Sequence, residues 1–323
     1  MSGWPSTDWL PGAPPPGFRE PGGLDALGQT HALAVIWRGL LVHERYGPGH
    51  GPDSTLLSWS IAKSFLHALV GILVRDGKLA TGARADVPQW RARGDARGAI
   101  TLEHLLRMSS GLFWREDYVD AQRSDVIEML FGSGKDDVAD FAAHFPLEHR
   151  PGTVWNYSSG TSNLLSAIAG RAIAGGGPAV QEFLRRELFA RLGMASASAR
   201  CDAAGTWIGS SFVFASARDY ARFGYLYLRD GVWHGERVLP EGWVAHARRL
   251  TPGSAHEGQE YGAHWWLQPG GEGTFSANGY AGQYLFVAPA RDVVAVRLGE
   301  STAEHGPGLR EWMRALVACF PRA

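Results

Sequence analysis

Apolar residues fall into two periods along this chain. From His31 to Tyr46 the run HALAVIWRGLLVHERY is dense in β-branched and aromatic residues, with Arg38-Gly39 at its centre. That pattern predicts a β-hairpin. The period then lengthens. Ile61, Phe65, Leu66, Leu69, Ile72 and Leu73 recur at helical spacing behind Ser60, and Gly77 supplies a stop. A helix apolar almost all round predicts burial. From about Ala80 to Arg200 the pattern predicts short helices. These are Leu102 to Met108 behind a Thr101 cap, then Asp125 to Phe131, Asp136 to Phe145, Thr161 to Ala174 and Ala179 to Leu192. Ser216 caps another helix that ends near Gly231. Strand patterns return at Gly262 to Gln268, Gln283 to Pro289 and Val293 to Leu298, and Arg310 to Phe320 reads as a closing helix.

Strands at both ends with helices between them predict an α+β protein. The two ends share one antiparallel sheet, and the middle forms a helical lobe. The expected lobes are 1–85 with 201–323, and 86–200. A chain of 323 residues, 45% hydrophobic, suffices for one large domain or two joined lobes. The net charge of −1 with 20% charged residues excludes the basic excess of a nucleic-acid binder. Two cysteines, Cys201 and Cys319, are too few for a disulfide framework and read as reduced, buried thiols. The first ~25 residues, rich in Pro and Gly, read as an extended arm. They show no basic and apolar export pattern, and no run is apolar enough to span a bilayer. The expectations are a cytoplasmic protein, no membrane and no nucleic-acid partner, with a homodimer left open.

The chemistry starts at Ser60-Ile61-Ala62-Lys63. A serine hydroxyl needs something to remove its proton. On a helix, Lys63 lies one turn beyond Ser60 on the same face. Burial would weaken its charged form and let it serve as a base. The chain has only three lysines, Lys63, Lys78 and Lys135, so one at this spacing is less easily an accident. The plainer alternative is a serine N-cap with a lysine reaching to solvent. Tyr157-Ser158-Ser159 sits on a loop before a helix, where a tyrosine can present its phenol to a cleft. Beside an ammonium that phenol would ionise more easily and act as a base; otherwise it is simply packed. Phe275 to Gln283, FSANGYAGQ, has the small residues that let a backbone approach a ligand and offer an N–H to an oxyanion. A plain hairpin turn is the alternative.

Taken in order, LLSWSIAKSFLHALVGILVRDGKL, LEHLLRMSSGLFWREDY, PGTVWNYSSGTSNLL, SARDYARFGYLYLRDG, YGAHWW and NGYAGQYLFVAP resemble the serine β-lactamase and penicillin-binding superfamily. The likeness is to the class C branch, and within it to 6-aminohexanoate-dimer hydrolases and their esterase-like relatives. It runs from about Leu56 to Leu298. The resemblance implies a β-lactamase-like fold: a five-stranded antiparallel sheet flanked by helices, an all-helical lobe and a site in the cleft between. Ser60 then matches the nucleophile, Lys63 the lysine one turn on, and Tyr157 the second-motif tyrosine that works as base with that lysine. The backbone N–H groups of Ser60 and Tyr280 match the oxyanion donors, and Tyr118 matches a substrate-facing tyrosine. Ser159, Asn278 and Gly279 fall at substrate-binding positions.

Two departures shape the functional expectation. Ser159 replaces the usual Asn, and Ala277-Asn278-Gly279 replaces Lys-Thr-Gly. Without that lysine, which engages the β-lactam carboxylate, a neutral amide or ester fits better. The expected activity is amide or ester hydrolysis through a Ser60 acyl-enzyme, with no metal or cofactor. The alternatives are transfer of the acyl group to an amine or alcohol, and a catalytically silent member that binds a small ligand. Twelve histidines show no metal-ligand spacing, and His264 reads as a packed core residue.

Overall fold

A computed structural model describes residues 8–120, 123–173, 176–255 and 259–322. The strands of its main sheet are β1 (Gln29–Trp37), β2 (Leu40–Tyr46), β3 (Glu260–Tyr261), β4 (Trp266–Leu267), β5 (Phe275–Gly279), β6 (Gln283–Ala288) and β7 (Val293–Glu300). They pair antiparallel in the order β2-β1-β7-β6-β5-β4-β3. The first hairpin therefore lies beside the last strand, and the two ends of the chain do share one sheet.

The sheet has seven strands where five were expected. The difference arises at Gly262 to Gln268, which the pattern predicts as one strand. There the Gly262 N–H donates to the Trp265 carbonyl at 2.8 Å, and His264 takes a φ of 56°. The segment folds back on itself and leaves two short edge strands, β3 and β4, beside five long ones.

The helices are α1 (Ala62–Arg75), α2 (Leu102–Leu106), α3 (Asp125–Phe131), α4 (Val138–Ala143), α5 (Ser159–Ile173), α6 (Gly177–Leu184), α7 (Ala217–Leu228), α8 (Trp243–Arg248) and α9 (Gly306–Ala318). Side-chain caps at Thr101, Ser124, Asp137 and Ser216 start α2, α3, α4 and α7. Thr101 and His104 form a capping box, and Ser216 Oγ accepts from the Asp219 N–H. The helix expected over Ala179 to Leu192 is shorter, since α6 passes into a π turn at Arg185–Phe189.

Both faces of the sheet are covered, so β1 carries five consecutive buried residues. On one face Leu33, Val35, Phe286 and Ala295 meet Leu309, Trp312 and Met313 of α9. On the other, Ala34, Ile36, Leu285 and Val294 share a core with Phe65 and Leu69 of α1 and Phe223 of α7. That core continues through Leu102, Leu105, Leu165 and Ile168, so one apolar interior crosses both expected lobe boundaries. Helix α1 is buried from Ala62 to Leu73, as its all-round apolar pattern requires.

The N-terminal arm expected over the first ~25 residues lies outside the described residues as far as position 7; beyond it, the chain exchanges backbone hydrogen bonds with Leu41 through Leu10 and Gly12. It thereby covers part of the open edge of β2. Cys201 and Cys319 are free thiols but only half-buried, less enclosed than expected. Among the described residues no helix is long and apolar enough to cross a membrane.

Helix α7 reaches the sheet through Gly224, where an added Cβ would sit 2.7 Å from Leu285 Cδ1 and Val294 Cγ1. Gly224→Val should therefore force α7 off the sheet and cost about 2 kcal/mol or more, measured by denaturant unfolding.

Candidate active site

The nucleophile candidate sits on a strained turn. Trp59 to Ile61 form a 3-10 turn that runs into α1, and Trp59 takes a φ of 44°. Such a conformation is unfavourable for a residue with a side chain and must be held from outside. Ser58 does the holding. Its N–H donates to the Val213 carbonyl (2.9 Å) and its hydroxyl to the Ser211 carbonyl (3.0 Å), while the Val213 N–H donates to Ser58 Oγ (3.0 Å). Ser60 therefore does not cap a helix.

Lys63 is 1% exposed, so it does not reach to solvent. Its Nζ donates to Ser60 Oγ at 2.9 Å, Ser159 Oγ at 3.0 Å and the Ser210 carbonyl at 2.9 Å. Each N–H of the ammonium thus has an acceptor, which is what makes its burial tolerable. Burial brings its pKa down to about 8, with the nearby Glu116 carboxylate opposing the fall. The Ser210 segment is in turn held by α5, since the Ser210 N–H donates to Asn163 Oδ1 at 3.1 Å.

Ser159, expected at the substrate, is instead buried and belongs to the lysine's surroundings. Its hydroxyl donates to Glu116 Oε1 at 2.5 Å, and its N–H donates to Glu116 Oε2 at 2.8 Å. Glu116 also accepts from Trp114 Nε1 (2.5 Å) and from the Tyr118 hydroxyl (2.6 Å). Tyr118 stands at the rim, 38% exposed, with its ring 5.2 Å from that of Tyr280.

Tyr157 lies against Lys63, whose Nζ is 4.9 Å from the ring centroid. The expectation that a neighbouring ammonium would ease its ionisation is not what the structure produces. Burial, and then the Glu116 charge, push the Tyr157 phenol well above its usual range. The Ser60 hydroxyl is close enough to Tyr157 and Tyr118 to act in the opposite sense on both. At neutral pH Tyr157 therefore carries its proton, and Lys63 is the more accessible base.

The third motif reaches the nucleophile through its backbone. A Cβ on Gly279 would lie 2.3 Å from the Ser58 carbonyl oxygen, so only glycine lets β5 come this close. Strand β4 pairs with Phe275 and Ser276 only, which leaves Ala277 to Gly279 without a β4 partner. Tyr280 follows in a short turn, its ring 5.5 Å from Trp59. Gln283 Nε2 fixes the Tyr280 carbonyl at 2.9 Å, and buried Arg297 donates to the Gly282 carbonyl at 2.9 Å. Asn278 is less free than expected. Its Oδ1 accepts from Ser276 Oγ (2.7 Å) and its Nδ2 donates to Gln259 Oε1 (3.1 Å).

His264 is a structural residue, as its setting in the sequence suggested. Its Nδ1 bonds the Leu106 carbonyl at 2.7 Å and its Nε2 bonds Ser162 Oγ at 3.1 Å, while burial brings its pKa down to about 3. Among the described residues no group of three or more His, Cys, Asp or Glu could hold a metal. Sequence reading missed Glu116, Ser58, Asn163 and Ser210. Glu116 stands two residues before Tyr118, but no spacing relates a loop carboxylate to a lysine on a distant helix.

Residues 27–320 match the model of the β-lactamase family. The chain belongs to that family. A curated relative, the 6-aminohexanoate-dimer hydrolase of Paenarthrobacter ureafaciens, is 27% identical over 305 residues, covering 88% of this chain and 75% of its own. Among solved structures, a proposed 6-aminohexanoate-dimer hydrolase from Bacillus anthracis superimposes with a TM-score of 0.78 at 21% identity, covering 100% of this chain and 89% of that one. A family VIII carboxylesterase gives 0.68 at 14% identity, covering 91% and 94%. Both likenesses are of fold.

In this β-lactamase-family protein the Lys63 amine can accept a proton from Ser60 only when it is neutral. Since its pKa lies near 8, kcat/KM for an ester should rise with pH through an apparent pKa near 8 and level off above it. A pH–rate profile with a p-nitrophenyl ester whose leaving group needs no protonation measures this.

Proposed function

We propose that the protein hydrolyses an amide or ester through an acyl-enzyme on Ser60. The observation that carries this reading is the buried Lys63 amine 2.9 Å from Ser60 Oγ. Neutral Lys63 takes the Ser60 proton as Oγ attacks the carbonyl carbon. The N–H groups of Ser60 and Tyr280 receive the oxyanion. The proton, passed by Lys63 or through the protonated Tyr157, leaves with the amine or alcohol. Water, deprotonated by the same pair, then releases the acid and restores Ser60. Hydrolase activity of the relatives supports the reaction class, and the linear amide named for the Paenarthrobacter ureafaciens relative is the first amide donor to try.

The surroundings of Ser60 favour an uncharged substrate with an apolar part. Ala277 occupies the place of the β-lactamase lysine and is buried in the core. Beside Trp59 lie Tyr280, Phe131 and Phe212, with ring centroids 5.5, 6.5 and 6.2 Å away. Phe131 is 57% exposed and Tyr280 45%, an aromatic surface open at the nucleophile.

Intact mass after exposure to p-nitrophenyl esters and to a linear 6-aminohexanoate dimer tests the reaction. A Ser60 adduct with product release is expected, and Ser60→Ala should lose both; full turnover by that variant would sink the mechanism. Adding a competing amine and analysing the products separates hydrolysis from acyl transfer. Phe131→Ala should lower kcat/KM more for a hexanoyl than for an acetyl ester, by roughly three- to tenfold, read from parallel steady-state assays.

A further inference from the structure

We infer that Glu116 is a positioning residue that fixes the direction of the Lys63–Ser159 hydrogen bond, so that the free lone pair of the Lys63 amine can face only Ser60. The inference rests on the reading of Ser60 and Lys63 as nucleophile and base, and it supplies what that reading leaves open: how the amine is aimed.

The argument is a count of hydrogens. A serine hydroxyl has one hydrogen to give. Ser159 spends its hydrogen on Glu116 Oε1 at 2.5 Å, so toward Lys63 it can only accept. The Ser210 carbonyl likewise can only accept. A neutral amine has two N–H groups and one lone pair. With both N–H groups taken by Ser159 and Ser210, the lone pair is left for the Ser60 hydroxyl. Without an acceptor at Glu116, Ser159 is free to turn its hydrogen onto the lysine lone pair and occupy the base. The side-chain carbonyl of Asn, the usual residue here in β-lactamases, is an acceptor by nature. A serine needs the carboxylate behind it to behave the same way.

The site is built to hold that carboxylate still. Trp114 Nε1, the Tyr118 hydroxyl and the Ser159 N–H all donate to it, and the last of these opens α5, where a negative charge is favoured. The other ionisable groups around Lys63 bring no charge at neutral pH. The Tyr157 phenol is held protonated by burial and the Glu116 charge, and that of Tyr118, hydrogen-bonded to Glu116, is protonated as well, while burial keeps His264 and, one turn along α1, His67 unprotonated. Glu116 is the charge acting on Lys63, and it favours the ammonium.

With only three lysines in the chain, Lys63 can be followed directly by NMR of protein carrying lysine labelled with 13C at Cε. The readout needs no turnover, so it stays informative even if no substrate is cleaved and the acyl-transfer reading fails. Glu116→Gln keeps the size, removes the charge and brings an NH2 that cannot accept. It should lower the Lys63 titration by about half a pH unit or more, and lower ester kcat about tenfold or more with little change in KM. Glu116→Asp, which keeps the charge, should hold the titration nearer to wild type. Ser159→Ala cuts the same link with the carboxylate in place and should also lower the Lys63 titration and kcat; it decides the matter alone if Glu116→Gln does not fold. A Lys63 titration unmoved in these charge- or link-breaking variants, whatever happens to kcat, overturns the inference.

Discussion

A lysine ammonium with no access to water needs three acceptors, and much of this site exists to supply them. Lys63 finds one on its own turn, one at the start of α5 and one on the backbone at Ser210. These segments are far apart in sequence. Bringing them within 3.0 Å of one nitrogen requires α1 to be buried between the sheet and the middle helices, and the all-round apolar character of α1 makes that burial favourable. The buried charge is costly, and the cost appears as a pKa brought down to about 8. The desolvation that lowers this pKa also makes the neutral amine more available at mildly alkaline pH.

The polar shell around Lys63 is graded. Ser58 and Asn163 hold the Ser60 turn and the Ser210 segment, while Glu116 holds Ser159 and Tyr118. Each tie satisfies a buried donor or acceptor that would otherwise be left unpaired. Tyr157 sits inside this shell with its ring against Lys63, yet burial and the Glu116 charge hold its phenol protonated. Its environment favours the phenol over the phenolate, so it suits proton carriage better than resting-state proton abstraction. The third motif contributes backbone more than side chains. Gly279 allows the close approach, and Asn278, tied to Ser276 and Gln259, has part of its hydrogen-bonding capacity already used.

Much of the architecture was legible in the chain. The hairpin before Tyr46, helices capped by Thr101 and Ser216, and the last two long strands follow from period, caps and turns that act over a few residues. So does Ser60-x-x-Lys63, because one helical turn places both side chains on one face. The errors have physical causes too. Gly262 to Gln268 has the composition of a strand, but its first half is a backbone turn tied to Ala247, Thr251 and Ser64, and only Trp266–Leu267 stays extended in the sheet. The motif position of Ser159 points to substrate, while its hydroxyl in the fold bonds Glu116 and Lys63, partners that no local pattern announces.

The sequence by itself determined the fold class, the sheet built from both chain ends and the pairing of Ser60 with Lys63, because each rests on periodicity or on contacts within one turn. Tertiary structure alone decided the proton affinities of Lys63 and Tyr157, where Ser159 points and that Glu116 is tied to both Ser159 and Tyr118. Those outcomes depend on burial and, Tyr118 apart, on hydrogen bonds between residues 43 to 147 positions apart, and a pKa or the direction of a hydroxyl has no value until the surrounding dielectric and acceptors are in place.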